Sequence, residues 1–445
     1  MRRNGPGQHP ARSSRAPDLL ILACGIVAAV HVGKLPPALP VLREALGIGL
    51  VQAGFLVSVV QGAAMTLALA LGLWADRIGL SRALLGGTLL LACASVLGAA
   101  ATGPVWLLAW RCVEGVGFLL VSVSAPALIR RVVAPQRLNL SLGLWGAYMP
   151  AGTATALLLG PVVTQAVGWR AWWGLLGVAA AVVAWVAWRG LRGHGRDVAA
   201  AAPFAQAAAA TSTSRPPTSK PAPGVRTQPP GRPVTAPAGS VWQRLRMVLG
   251  HGGPWLVAFT FAAYSSQWLA VIAFLPTIYT EAGWPVWQVG LLSGLVALAN
   301  VTGNLGAGRL LHRGVPALRL LHTGFGAMAV GAVLAFGGQD LLPAGLRYAA
   351  VLAFSAVGGL IPATLFSLAV RVAPQEQAVP AVMGLMIQWS AFGQFVGPPL
   401  VAAWAAQHGG WSQTWVVTGS AALVGAVLAW RLAVRLRCAP AAAAG

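Results

Sequence analysis

Charged residues are scarce in this sequence, and acidic residues are the scarcest of them. Only 9% of the 445 residues are charged, and Asp and Glu together number 8 against 30 Lys and Arg. Soluble domains carry about 25% charged residues because their surfaces face water. A chain that is 57% hydrophobic cannot cover such a surface with polar groups. The composition therefore excludes an ordinary soluble protein and favours one surrounded by lipid.

Cysteine is also rare, and several chemical motifs are missing. No two of the four cysteines have CxxC spacing, so the sequence predicts neither a disulfide framework nor a zinc site. It contains no HExxH and no Walker-type phosphate loop, which argues against a zinc protease and against ATP hydrolysis. In the apolar segments the acidic residues are limited to Glu114 and Asp18. We therefore expect no enzyme, no metal and no cofactor.

The net charge of +22 raises the possibility of a nucleic-acid partner. Most of the basic residues, however, lie in short gaps between apolar runs or in one mid-chain segment. Binding of nucleic acid requires a basic face on a folded domain. We therefore expect the lipid bilayer as a partner and no nucleic acid.

Long apolar runs dominate what the sequence does contain, and a spanning helix needs about 20 such residues. The first run is predicted to be a retained span and not a removed signal peptide, because it has three prolines and no cleavage site. The sequence predicts an all-α membrane protein with twelve transmembrane helices, at 18–40, 50–72, 82–102, 104–127, 139–164, 171–189, 255–279, 288–310, 316–338, 345–370, 379–404 and 413–434.

The basic residues predict how these spans are oriented. Cytoplasmic loops carry an excess of Lys and Arg. If the N- and C-termini are both cytoplasmic, most of the 30 basic residues fall on that side. The exceptions are Arg43, Arg170 and Arg347 in outer loops, and Lys34 and Arg111 inside spans.

A segment rich in Ala, Pro, Ser and Thr interrupts the apolar runs at mid-chain and is predicted to be disordered. A short basic interfacial helix is expected after it, at 241–249. The predicted organisation is an N-terminal cytoplasmic tail at 1–17, a six-helix bundle at 18–190, a cytoplasmic linker at 191–240, a second six-helix bundle at 241–437 and a C-terminal tail at 438–445.

Three pairs of landmarks recur at nearly constant separation in the two halves. They are the GLWADRIG and GRLLHRG loops at 72–79 and 308–314, Gly-Pro at 160–161 and 397–398, and Gly-Trp at 168–169 and 410–411. Internal repeats of this kind are typical of transporter folds.

Two motifs make the chain resemble the major facilitator superfamily. The stretch GLWADRIGLSR at 72–82 resembles the family's loop signature, and LLAWRCVEGVG at 107–117 resembles its fourth-helix signature. The resemblance implies two six-helix bundles and proton coupling through Arg111. It also implies a gating loop that steadies the outward-facing state, formed by Gly72, Asp76, Arg77, Gly79 and Arg82. Leu80 and Ser81 stand where basic residues are usual, and His312 replaces the aspartate in the second copy.

The resemblance also bears on the subfamily. Drug antiporters of this superfamily have paired glycines shortly after the Gly-Pro of the fifth helix, whereas here Val162, Val163, Thr164 and Gln165 follow it. The patterns at 33–40 and 148–152 are similar to bacterial permeases of the cyanate-transporter branch.

Ionisable residues inside spans are costly, and each suggests a function. Arg111 and Glu114 share a helix face, as an ion pair that aids insertion or as a proton-coupled switch. Lys34 either extends to the outer headgroups or forms an anion site with Arg111 and Glu114. His31 is either a hydrogen-bonded core residue or a group that titrates near neutral pH.

The remaining candidate residues are polar but uncharged. Each is interpreted either as an interhelical hydrogen-bonding group or as part of a substrate site. They are Tyr148, Tyr264, Gln267, Asn300, Asn304 and Gln388.

Together these features predict a monomeric secondary transporter of the cell inner membrane, which moves a small solute by alternating access. Two cations and one carboxylate favour proton-coupled uptake of a small organic anion. The alternatives are proton-driven efflux of drugs or metabolites, and a transporter-like sensor or scaffold.

Overall fold

The computed structural model of the protein describes residues 17–133, 135–192, 241–339, 341–375 and 378–438. Side chains at 71–78, 135–136, 139–140, 241, 244 and 438 are outside this description. The predicted linker therefore lies almost entirely outside the described residues, as do most of the two tails. Within the described ranges all regular structure is helical.

The described residues of the first half form eight α-helices and one 3₁₀ turn, at Val59–Gln61. The helices are α1 Pro17–Gly33, α2 Leu35–Leu46, α3 Leu50–Ser58, α4 Gly62–Ile78, α5 Leu80–Ala99, α6 Pro104–Val132, α7 Pro135–Gly146 and α8 Tyr148–Leu191.

In the second half, too, the part that the structure describes forms eight α-helices, and a π-helical turn at Val333–Gly337 extends the fourth of them. They are α9 Val241–Leu249, α10 Gly252–Glu281, α11 Val286–His312, α12 Ala317–Ala332, α13 Ala344–Gly358, α14 Leu360–Val372, α15 Val379–Gln407 and α16 Thr414–Cys438. Helix α9 is the short basic helix that the sequence predicted before the seventh span.

The expected all-α membrane architecture is confirmed, since the described residues contain eleven helical segments long and apolar enough to cross a membrane. The longest of these segments, α8, has 44 residues and leaves helical geometry at Gly168 (φ 82°, ψ 162°). A straight helix of that length would measure about 66 Å, roughly twice the hydrocarbon core of a bilayer.

The chain folds back at this break. The Trp172 ring lies 3.7 Å from the position that a Cβ atom on Gly160 would occupy. Twelve residues of straight helix would instead separate these positions by about 18 Å. Helix α8 is thus two packed segments where the sequence predicted two spans at 139–164 and 171–189, although α7 takes up the first part of the former. The total of twelve spans and the orientation of the termini stay predictions.

Among the described residues, the two halves pack against each other mainly through four pairs of helices. Helices α3 and α4 contact α15, helix α8 contacts α11, and α2 contacts α10. At the first of these contacts the Gln61 amide donates to Gln394 Oε1 across 3.0 Å. Near the ends of α2 and α10, Glu281 accepts from Arg43 at 3.4 Å and from Trp411 Nε1 at 2.7 Å.

Two of the three repeated landmarks have a glycine at positive φ in both halves. Gly79 and Gly314 have φ values of 85° and 82°, and Gly168 and Gly410 have φ values of 82° and 144°. Glycine adopts positive φ at little cost and ends helices in this way. At these two landmarks the repeat detected in the sequence therefore coincides with a glycine at positive φ in both halves.

Close packing of α11 on α13 gives a testable difference between two glycines of one helix. A Cβ on Gly303 would meet the Ala356 carbonyl and lie 2.8 Å from Gly359 Cα, whereas a Cβ on Gly308 would meet nothing within 4 Å. We expect Gly303→Ala to destabilise the protein by about 1–3 kcal/mol, because packed backbone cannot move aside cheaply. Gly308→Ala should change stability by less than about 1 kcal/mol. Unfolding in detergent measures both, and equal effects would contradict the packing described here.

Candidate functional site

A buried ion pair on α6 forms the centre of the candidate site. Arg111 and Glu114 are three residues apart, and Arg111 Nη1 donates to Glu114 Oε2 across 2.6 Å. Both side chains are essentially inaccessible to solvent. Arg111 Nη1 also donates to the His31 carbonyl at 2.6 Å, and its Nε donates to the Leu56 carbonyl at 3.4 Å. The guanidinium thus ties α6 to α1 and α3.

Lys34 completes the cluster from a break between α1 and α2. Pro36 and Pro37 have no N–H group, so the helix cannot keep its regular hydrogen bonds there. The Lys34 ammonium donates to Glu114 Oε1 and, across 2.7 Å, to Ser95 Oγ. Because Lys34 is fully buried, it does not reach toward lipid headgroups in this structure.

Ser95 and Trp173 also contact the Lys34 ammonium. Ser95 Oγ donates to the Trp173 carbonyl at 2.7 Å, which leaves its oxygen lone pairs to accept from Lys34. The Lys34 ammonium lies 4.7 Å from the centre of the Trp173 ring, within cation–π range. Trp172 Nε1 donates to the Lys34 carbonyl at 3.1 Å. Sequence reasoning selected none of these three residues as site residues.

Small residues allow α5 and α6 to approach closely enough for this contact. A Cβ on Gly87 would lie 2.7 Å from the Gly117 carbonyl oxygen, and a Cβ on Gly117 would lie 2.8 Å from the Gly87 carbonyl oxygen. Backbone contact of this kind is how small residues bring membrane helices together. It places Ser95, two turns further along α5, beside the charged face of α6.

His31 lies next to the cluster with one ring nitrogen unused. Its Nδ1 lies 2.9 Å from the Val27 carbonyl, so Nδ1 carries the proton and Nε2 is an acceptor. Among the described residues, neither His31 Nε2 nor Arg111 Nη2 has a hydrogen-bond partner, although both atoms are buried. Among the described residues, the site therefore has an unused acceptor, His31 Nε2, and an unused donor group, Arg111 Nη2.

The charges of the cluster do not cancel, since two cations share one carboxylate. The contacting groups come from α1, α3, α5, α6 and α8 and from the α1–α2 break. All of these elements belong to the first half. These hydrogen bonds of the net-positive cluster thus all lie within the first half.

Three polar candidates of the second half, Tyr264, Asn300 and Asn304, belong to another hydrogen-bonded group. Asn300 Nδ2 donates to Tyr264 OH at 3.0 Å and to the Ser355 carbonyl at 2.9 Å. Asn304 Nδ2 donates to Asn300 Oδ1 at 2.8 Å, and Trp268 Nε1 donates to Ser355 Oγ at 3.3 Å. This network joins α10, α11 and α13 and contains no charged group.

Three further candidates lie apart from both groups. Gln267 donates to the Ala263 carbonyl of its own helix at 3.0 Å. Tyr148 lies 3.3 Å from Ser122 Oγ and stacks on Trp145 with ring centres 4.1 Å apart. Within the described part of the chain, the buried Oε1 atoms of Gln267 and Gln388 have no partner.

The structure describes only part of the predicted gating loop. The backbone at Gly72, Asp76 and Arg77 belongs to α4, but these side chains lie outside the described ones. Gly79 ends the helix with positive φ, and Arg82 is exposed near the start of α5. The interaction expected of Asp76 stays a prediction.

The sequence model of the Major Facilitator Superfamily matches residues 21–398. The chain belongs to this superfamily. It is a multi-pass protein of the cell inner membrane, with eleven candidate spans among its described residues.

Curated relatives of the chain include several resistance and export proteins. The chain is 29% identical over 175 residues to the methylenomycin A resistance protein of Bacillus subtilis. The aligned region covers 38% of this chain and 37% of that protein. It is 27% identical over 175 residues to the tetracenomycin C resistance and export protein of Streptomyces glaucescens. The aligned region covers 38% of this chain and 32% of that protein. An uncharacterized MFS-type transporter of Mycobacterium tuberculosis is 31% identical over 183 residues. The aligned region covers 41% of this chain and 26% of that protein. The chain thus matches between 26% and 37% of the length of these relatives.

Solved structures share the fold over nearly the whole chain. A bacterial homologue of the human lysosomal transporter Spinster, inward-facing and unoccupied, has a TM-score of 0.68 at 16% identity and covers 97% of this chain and 100% of its own. The D-xylose-proton symporter has a TM-score of 0.67 at 15% identity. The alignment covers 94% of this chain and 97% of the symporter. At these identities the likeness concerns the fold alone.

Proposed function

We propose that this transporter takes up a small organic anion together with a proton. The observation that carries the proposal is the buried cluster of Lys34, Arg111 and Glu114, with two cations on one carboxylate. At an effective dielectric constant of about 20, a unit charge about 10 Å from a monoanion contributes about 1.7 kcal/mol. A net-positive centre inside the first half therefore favours an anion in the space between the halves.

Proton coupling is proposed for the same cluster. Arg111 and Glu114 stand at the positions of the fourth-helix signature, to which the superfamily resemblance assigns coupling. A charged cluster and a bound monoanion together carry no net charge, so the loaded transporter can change conformation without moving charge through lipid. We expect the protein to act as a monomer and without nucleic acid.

Loss of coupling in Arg111→Ala tests this proposal. In proteoliposomes, candidate monoanions should produce a proton flux with the unchanged protein, and Arg111→Ala should lower it by at least about tenfold, because a buried hydrogen-bonded charge is removed. Arg130→Ala is the matched control, since Arg130 is exposed near the end of the same helix. An Arg111→Ala variant with full flux would reject the proposal, and full transport of every tested anion by Lys34→Ala would remove Lys34 from it.

Proton-driven export of drugs or metabolites is the second candidate, favoured by the names of the matched relatives. Resistance and uptake assays on a deletion strain separate the two candidates. Export predicts that the deletion strain becomes more sensitive to a toxic compound, whereas uptake predicts slower growth on, or slower accumulation of, an anion.

A further inference from the structure

Lysine is almost absent from this basic protein. The sequence contains 28 Arg and only 2 Lys, Lys34 and Lys220. Lys220 lies in the predicted linker, outside the described residues, so Lys34 is the one lysine in the described part of the chain. The other buried cation of the cluster is an arginine, Arg111. A lysine here indicates a property that arginine lacks, and the main such property is the ability to lose a proton.

The charges around Lys34 indicate which group of the cluster can exchange a proton. Glu114 and Arg111 face it from α6, His31 lies three residues earlier on α1, and α5 and α8 contribute the uncharged Ser95 and Trp173. An arginine side chain does not release its proton in proteins, and Glu114 already accepts hydrogen bonds from both cations. Loss of one proton from Lys34 would turn the cluster from a net charge of +1 into a neutral group, which removes an uncompensated buried charge.

The hydrogen bonds of Lys34 fit both of its protonation states. An ammonium group has three N–H donors, and a neutral amine has two. The structure offers two oxygen acceptors, Ser95 Oγ and Glu114 Oε1, and the face of the Trp173 ring as a third contact. The amine can therefore satisfy both of its donors, and the ammonium gains the cation–π contact in addition.

We propose that Lys34 carries the coupling proton of this transporter. The N–H bond breaks, its electron pair stays on Nζ, and the proton passes to water that reaches the cluster during the conformational change. The ammonium form holds the anion, and the amine form releases it. This inference rests on the proposed uptake of an anion with a proton, and it assigns the proton to a residue on the first span rather than to Glu114.

Selective labelling makes the protonation of Lys34 directly measurable. In ¹⁵N-lysine-labelled Lys220→Arg protein, Lys34 is the single labelled residue, and its Nζ signal distinguishes ammonium from amine. We expect this signal to change between the two forms over the physiological pH range, whereas an ordinary lysine stays an ammonium there. A signal that stays at the ammonium position at every pH would overturn the inference without any assumption about substrate.

Transport by Lys34→Arg gives the second measurement. A permanent cation should still hold the anion, so exchange of labelled for unlabelled anion should continue at a similar rate. Accumulation driven by a pH gradient should fall by at least about tenfold, because arginine does not release its proton. Lys220→Arg, the same replacement in the linker, is the control. Normal pH-driven accumulation by Lys34→Arg would overturn the inference.

The two measurements separate this inference from the proposed function. Proton exchange at Lys34 in a protein that transports no anion would support the assignment of the proton and overturn only the substrate class. Proton-coupled anion uptake with a permanently charged Lys34 would overturn the inference and leave the proposed function standing.

Discussion

Glu114→Gln is expected to destabilise the folded protein by about 3–5 kcal/mol, which is the usual effect of removing one partner from a buried ion pair. Glu114 is the carboxylate that both Lys34 and Arg111 contact, and all three side chains are fully buried. Without it, two buried cations face each other without compensation. Unfolding of the purified protein in detergent, followed by tryptophan fluorescence, measures the effect. Stability equal to that of the unchanged protein would contradict the arrangement described here.

A second replacement tests whether charge is the cause. Adding Lys34→Met to Glu114→Gln restores a net charge of +1 and should recover a large part of the lost stability. The coupling free energy from the double-mutant cycle should exceed about 2 kcal/mol, within the range found for residues of one network. Glu281→Gln is the control, because the Glu281 side chain is 50% exposed and its partner Arg43 is 31% exposed. It should change stability by less than about 1 kcal/mol.

Trp173→Ala is expected to cost about 3–5 kcal/mol, since Trp173 is among the largest fully buried side chains. The indole packs edge-on against Trp169 with ring centres 5.6 Å apart and covers the Lys34 ammonium. The replacement would leave a cavity beside a buried charge and remove the cation–π contact. The unfolding midpoint should therefore fall, and under the proposed function the pH-driven accumulation of anion should fall with it.

Two variants separate packing from charge in this prediction. Trp173→Phe keeps an aromatic face for Lys34 and should lose less stability than Trp173→Ala. Trp185→Ala changes the same residue type on the same helix, but Trp185 is 51% exposed, so its effect should stay within about 1 kcal/mol. If Trp173→Ala proved as mild as Trp185→Ala, Trp173 would not be the cover of the cluster.

The charged part of the site was accessible from the sequence because ions inside spans are rare. Lys34, Arg111 and Glu114 stand out in a chain with so few acidic residues, and helical spacing alone places Arg111 and Glu114 on one face. Ser95 and Trp173 carry no such signal, because a serine or a tryptophan in an apolar helix is common. Their contact with Lys34 depends on how α5 and α8 pack around the α1–α2 break.

The polar residues of the second half show the same limit. The sequence marks Tyr264, Asn300 and Asn304 only as uncharged polar candidates. The structure joins them with Ser355 and Trp268. Gln267, which was predicted with them, bonds to its own helix instead. A hydrogen-bonding side chain on a spanning helix can turn to several neighbours, and helix packing selects among them.

The sequence by itself determined that this is a multi-span helical membrane protein with internally repeated halves and with intramembrane charge concentrated in the first half. Apolar length, charge placement and repeated Gly-containing landmarks are sufficient for this, because lipid permits few other solutions. Only the tertiary structure decided that Lys34 turns inward to share Glu114 with Arg111, inside the first half and covered by Trp173. The physical reason is that a lysine near a helix break can reach lipid headgroups or the protein interior, and only the packed neighbours make the interior more favourable.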